Sequence, residues 1–207
     1  MGELKNKKKN STIGVLALQG AFREHIRCLQ SCGAQAREIR TTEQLAGVDG
    51  LIIPGGESTT IGKLTVEFGF IEPLLAFTQS GKPVWGTCAG MIFLAKDVGR
   101  DQPTLGVMDI VVKRNAFGRQ IDSFNQCLAC PQINQALGLE DTPSEAVFIR
   151  APLIERVGPG VQVLVQLSEG MIVAARQKNL LATSFHPELT SDLRWHRYFL
   201  GMLGSGE

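Results

Sequence analysis

Five residues near the middle of the chain, Gly86-Thr87-Cys88-Ala89-Gly90, constrain it most. They follow the apolar Pro83–Trp85 and precede an apolar run opening at Met91. The spacing is that of G-x-S-x-G with sulfur in place of oxygen, which seats a nucleophile on a tight turn between a strand and a helix. Glycines two residues before and after let the two backbones approach closely. The turn lifts the thiol into a cleft at the carboxyl end of the strand. The helix N-terminus beyond it offers free N–H groups and the positive end of a dipole, which favour thiolate over thiol. The N–H of Ala89 is then placed to receive a developing oxyanion. The plain alternative is a buried structural cysteine in an α/β core.

A strand–turn–helix of this kind belongs in a layered α/β domain, and the flanking sequence agrees. Ile13–Leu18 and Gly50–Ile53 read as buried strands, and Pro83–Trp85 as a short one. Ala21–Cys32 reads as an amphipathic helix ended by Gly33, with Ile71–Ser80 and Met91–Lys96 as further helices. Such a βαβ opening with apolar strands predicts a mainly parallel sheet covered by helices on both faces. The second half is richer in strands: Gly106–Val112, Ala146–Ile149, Val161–Leu167, Met171–Ala175 and Leu180–Thr183. Ser191–Leu203 reads as a closing helix capped by Ser191 or Thr190. Asp97–Pro143 fits the plan least and is expected to form loops and short strands near the active edge.

The 207 residues suit one domain, expected over 12–204, preceded by a disordered basic tail over 1–11 that carries Lys5–Lys9. Hydrophobic residues make up 43% and the net charge is +1, so a nucleic-acid partner is not expected. No stretch approaches the roughly 20 apolar residues that span a bilayer, and no membrane partner is expected. Ile13–Leu18 is too short and too interrupted for a signal-peptide core, so a cytoplasmic or organelle-stroma location is expected. The five cysteines, Cys28, Cys32, Cys88, Cys127 and Cys130, are odd in number and read as free thiols.

A cysteine nucleophile needs a histidine close in space. His25 lies beside Arg23 and Glu24 on the first amphipathic helix and reads as a surface or interface residue. His196 lies on the closing helix and reads as packed or hydrogen-bonded there. His186 follows the strand-like Leu181–Phe185 and precedes Pro187, which excludes a helix at that point. Glu188 is two residues on. In an extended segment it shares a side with His186, where its carboxylate can fix the imidazole's tautomer and steady the imidazolium. Alone, His-Pro-Glu is a polar turn before a helix. With the elbow upstream, it completes a Cys88–His186–Glu188 set.

Pro54-Gly55-Gly56-Glu57-Ser58-Thr59-Thr60 follows a buried strand. The N–H of Gly56 is the candidate second oxyanion donor, and Glu57 offers a carboxylate for a substrate ammonium. A glycine turn capping a helix from near Ser58 is a compatible alternative. Arg114 and Arg150 each follow an apolar strand-like run and are candidates for a substrate carboxylate, which a guanidinium binds bidentately. A structural ion pair is the alternative for each.

These residues together resemble the class I (triad) glutamine amidotransferases. Within them the chain is most similar to the glutaminase subunits of pyridoxal 5′-phosphate synthase. The resemblance runs from Ile13 to about Tyr198. It is carried by Leu18–His25 (LQGAFREH), Pro54–Thr60, Gly86–Gly90, Arg114–Gln120 (RNAFGRQ), Phe148–Pro152 (FIRAP) and Ser184–Leu189 (SFHPEL). Cys127–Pro143 departs most from the pattern. The resemblance implies a flavodoxin-like three-layer sandwich, Cys88 as nucleophile, and His186 with Glu188 as charge relay. It places L-glutamine against Gly56, Glu57, Ser58, Arg114, Ile149 and Arg150. It also implies a synthase subunit that receives the ammonia and makes pyridoxal 5′-phosphate from a pentose phosphate and a triose phosphate. In that family the glutaminase is weak until this partner docks. Neither a metal nor a cofactor is expected. Two rival readings remain: a stress-type α/β cysteine hydrolase or chaperone, and a metal or redox module on Cys127-x-x-Cys130. The latter lacks a second C-x-x-C pair.

Overall fold

The computed structural model describes residues 11–114 and 123–204. Most of the expected basic tail, residues 1–10, and most of the Arg114–Gln120 word lie outside the described residues. Ser11, at the tail's expected end, is already buried.

The chain opens with β1 (Thr12–Leu16), α1 (Phe22–Ser31), β2 (Gln35–Ile39), a 3-10 turn at Thr42–Gly47 and β3 (Gly50–Ile53). There follow α2 (Ser58–Glu67), α3 (Ile71–Gln79), β4 (Val84–Thr87), α4 (Ala89–Leu94), β5 (Ala95–Asp97) and β6 (Met108–Lys113). The second half contains β7 (Ser123–Leu128), α5 (Pro131–Leu137), β8 (Ser144–Ile149), β9 (Leu153–Val157), β10 (Gln162–Gln166), β11 (Ile172–Gln177), β12 (Leu180–Thr183) and α6 (Arg194–Gly201).

Among the described residues the main sheet runs β2-β1-β3-β4-β12-β11-β9-β6-β5, with β10 on β11. From β2 to β12 every pairing is parallel. Beyond β12 the strands turn antiparallel, apart from the β5–β6 pair. The central parallel strands β1, β3, β4 and β12 are buried on both faces, and consecutive side chains feed two separate cores. Leu51 and Ile53 of β3 join Ile61, Leu74 and Phe93 on one face. Ile52, between them, joins Leu29, Ile133, Trp195 and Phe199 on the other. Thus α2, α3 and α4 cover one face and α1, α5 and α6 the other, the expected three-layer sandwich. No helix of the described residues is long and apolar enough to cross a membrane.

Five expectations change. Within Asp97–Pro143, expected to form loops and short strands, Pro131–Leu137 forms helix α5. β2 is unforeseen because its sequence, QAREI, alternates charge and exposure at the sheet edge. β9 is unforeseen too, since LIERV follows Pro152 with only weak alternation. The helix expected over Met91–Lys96 starts at Ala89, directly from the elbow, and gives way to β5 after Leu94. The closing helix starts at Arg194, not Ser191. Thr190 Oγ1 accepts the Asp192 N–H at 3.2 Å, and Asp192 Oδ1 accepts the Arg194 N–H at 3.0 Å. These local bonds compete with helix and delay its start.

Candidate active site

The carboxyl ends of β1, β3, β4 and β12 lie side by side, because these strands are parallel neighbours. The loops that leave them meet at one cavity of about 460 Å³. Nine of the sequence-derived candidates line it: Cys88, Ala89, Gly56, Glu57, Ser58, Arg114, Ile149, Arg150 and His186. Glu188 lies behind His186, buried.

The elbow forms as its glycines require. A Cβ on Gly90 would strike the Ile53 carbonyl of β3, and one on Gly86 would strike the Gly90 backbone. With both absent, Cys88 sits at φ 47° and ψ −104°. This left-handed conformation is unusual for a residue with a side chain and costs on the order of 1–3 kcal/mol. The surroundings hold it there: the Cys88 N–H donates to Thr183 O of β12 at 2.8 Å. The Cys88 thiol lies 4.0 Å from Ile149 O.

His186 is anchored through its own N–H, which donates to Val147 O of β8 at 2.8 Å. Its Nδ1 lies 2.8 Å from Glu188 Oε1, and its side chain hydrogen-bonds Cys88. Burial works against charge on His186, but the Cys88 and Glu188 partners outweigh it and push its pKa up to about 10. Burial likewise opposes charge on Glu188. The two imidazoles that face it, His25 and His186, outweigh that and hold its carboxyl below the ordinary value. The i, i+2 spacing thus names two residues that the structure brings into contact, although Pro187–Leu189 is a 3-10 turn and not an extended strand.

His25 overturns its surface assignment. It is fully buried, in edge contact with Trp85 at 5.6 Å between ring centroids. Its charged neighbours Arg23 and Glu24 gave a misleading signal, because α1 turns one narrow face onto the sheet and that face carries His25, Cys28 and Leu29. His196 is packed and hydrogen-bonded, as expected.

The rim of the cavity is built differently. Glu57 caps α2, accepting the N–H groups of Thr59 at 3.1 Å and Thr60 at 2.7 Å. Burial opposes its charge, but these bonds and those from the Thr60 and Thr59 side chains together outweigh it and pull its carboxyl down to about 2. Arg114 lies 3.4 Å from Glu57 Oε1 and donates to Gln102 Oε1 at 3.0 Å. Both candidate substrate contacts are thus partly engaged with each other. Ser58 Oγ is buried and has no hydrogen-bond partner among the described residues. Arg150 is exposed, at φ 42°. Gln19, which sequence reasoning gave no role, also lines the cavity and accepts the Glu57 N–H at 2.8 Å. Its only signal was its place just after β1. Far from the cavity, Cys130 is buried against Asn134 and Arg194, while Cys127 is exposed.

Known proteins bear on this arrangement. The model of the SNO glutamine amidotransferase family matches residues 15–205. The pyridoxal 5′-phosphate synthase subunit PdxT of Moorella thermoacetica is 58% identical over 193 residues, covering 93% of this chain and 99% of its own length. The protein of the same name from Herpetosiphon aurantiacus is 55% identical over 195 residues, covering 92% and 100%. A solved glutamine amidotransferase superposes with a TM-score of 0.85 at 48% identity, covering 93% of this chain and 98% of its own. The chain belongs to the SNO glutamine amidotransferase family.

Proposed function

We propose that the chain is the glutaminase subunit of a pyridoxal 5′-phosphate synthase, hydrolysing L-glutamine to L-glutamate and ammonia through Cys88, His186 and Glu188. One observation carries the chemistry: a cysteine on a strained elbow shares a cavity with a histidine whose far nitrogen is held by a buried carboxylate. That is the arrangement of a nucleophile, its base and the base's orienter. The relatives' name makes them one subunit of that synthase, and this chain matches them over nearly their whole length.

His186 holds the thiol proton and Cys88 attacks the glutamine Cδ. The oxyanion falls between the N–H groups of Ala89 and Gly56. His186 gives its proton to the leaving ammonia, leaving a γ-glutamyl thioester on Cys88. Water then attacks, with His186 taking its proton, and glutamate leaves as the thiol is restored. Loss of one oxyanion donor is expected to cost about 10²–10³ in rate. Glu57, Ser58, Arg114, Ile149 and Arg150 hold the amino-acid end of the substrate, with the unpartnered Ser58 Oγ free to bond it. The ammonia passes to the synthase subunit. A cytoplasmic location belongs to this reading and suits five free cysteines.

Ammonia release from glutamine, measured with and without the synthase subunit, tests the reading. A rate that appears or rises sharply on adding the subunit is expected. No release under either condition defeats it.

A further inference from the structure

Glu188 has a second oxygen that the relay does not use. Oε2 is buried, meets no hydrogen-bond partner among the described residues and lies 3.3 Å from His25 Nε2. The same His25 nitrogen lies 3.2 Å from Thr87 Oγ1, and Thr87 Oγ1 accepts the Gly55 N–H at 3.0 Å. On the far side of the ring, His25 Nδ1 lies 3.0 Å from His196 Nε2. One buried imidazole therefore touches the segment carrying Glu188, the elbow residue before Cys88 and, through Thr87, the loop before Gly56.

The hydrogens on this chain follow from chemistry. A carboxylate only accepts, so the His25 nitrogen facing it must carry the hydrogen. A neutral His25 then has a bare Nδ1, which needs a donor, and His196 Nε2–H supplies it. This leaves His196 Nδ1 bare, and it is the one buried histidine nitrogen without a partner among the described residues. The reverse assignment would strand a buried N–H there and set a bare nitrogen against a carboxylate. An orphaned N–H is the rarer defect in proteins.

We propose that His25 is a positioning residue for the Cys88–His186–Glu188 relay: its Nε2–H, bonded to Thr87 Oγ1, also faces Glu188 Oε2 at 3.3 Å and steadies it electrostatically, and His196 fixes the tautomer that lets it do so. A carboxylate gripped at one oxygen can still swing. With the His25 Nε2–H facing the other oxygen, it presents Oε1 to His186 in a fixed direction and so aims the other imidazole nitrogen at Cys88. Complete burial lowers the His25 pKa, with Glu188 pulling the other way. A neutral donor orients the carboxylate without cancelling the charge that His186 needs, whereas a permanent cation would compete for that charge. This inference rests on the glutaminase reading.

The test uses the full chain with its synthase subunit and two polar replacements of similar size. His25→Gln places an amide N–H where Nε2 stood. His25→Asn places one where Nδ1 stood and leaves Glu188 Oε2 bare. Losing the N–H that faces this buried charge is expected to lower kcat about 10–100-fold in His25→Asn, with KM within about threefold of wild type. His25→Gln is expected to stay within about threefold in both. Equal impairment of the two, or no impairment in His25→Asn, overturns the proposal. Nitrogen chemical shifts of the wild-type imidazoles provide a check independent of any variant's folding. A neutral His25 with hydrogen on Nε2 is expected, and hydrogen on Nδ1 alone overturns the proposal. A wild-type complex that releases no ammonia defeats the glutaminase reading itself. An active wild type with a fully active His25→Asn defeats only the role of His25.

Discussion

The floor and the rim of the same cavity are built on different principles. At the floor, Cys88, His186 and Glu188 are buried, and backbone bonds to neighbouring strands fix the first two. At the rim, Glu57 and Arg114 meet through long side chains, with Glu57 half exposed. A pair of that kind is worth little and rearranges readily. On the proposed reading, the reacting groups sit on ladder geometry, while the groups that would hold the substrate sit on an exchangeable ion pair.

Cys88→Ala probes the floor most severely. Glutamine hydrolysis by the complex is expected to fall to background, while the chain still folds and still binds the synthase subunit in size-exclusion chromatography. Retained hydrolysis would remove Cys88 from the reaction. At the rim, Arg114→Ala is expected to raise KM for glutamine about 10–100-fold, the worth of a charged hydrogen bond, with kcat much less affected. An equal fall in kcat would place Arg114 with the floor and erase the contrast. Gly90→Ala drives a methyl against the Ile53 carbonyl and is expected to cost about 1–3 kcal/mol in urea unfolding. A neutral outcome would mean that strand and helix at the elbow have slack.

The smallest effect concerns pH. The proton on His186 is bound more tightly in the folded state, at a pKa of about 10 against 6.5. Its stabilising contribution is therefore complete below about pH 6.5 and is lost as the pH rises through about 10. Removing the Cys88 partner lowers the upper bound, so Cys88→Ala should lose that contribution at lower pH than wild type. Coincident unfolding free energies for the two proteins across this range would show that Cys88 does not hold the proton.

Some of this was legible in the sequence for identifiable reasons. The glycines at 86 and 90 permit one kind of turn, and the apolar runs before and after fix which side is strand and which is helix. The i, i+2 spacing of His186 and Glu188 survived even though the local conformation is a 3-10 turn, because Pro187 still leaves both side chains on one side. β2 and the late start of α6 escaped because an edge strand needs little apolar pattern, and because Asp192 and Thr190 offer the backbone local alternatives to helix.

By itself the sequence singled out Cys88, His186 and Glu188 as a candidate set and determined the layered α/β class, since each rests on short-range spacing and the period of apolar residues. Only the tertiary structure decided that Glu57 caps a helix and meets Arg114, and that His25 is buried behind Glu188 and not at the surface. Those facts join residues 57 and 163 positions apart. No local pattern encodes such contacts: the end of β6 meeting the start of α2 creates the first, and the packing of α1 against the turn after β12 creates the second.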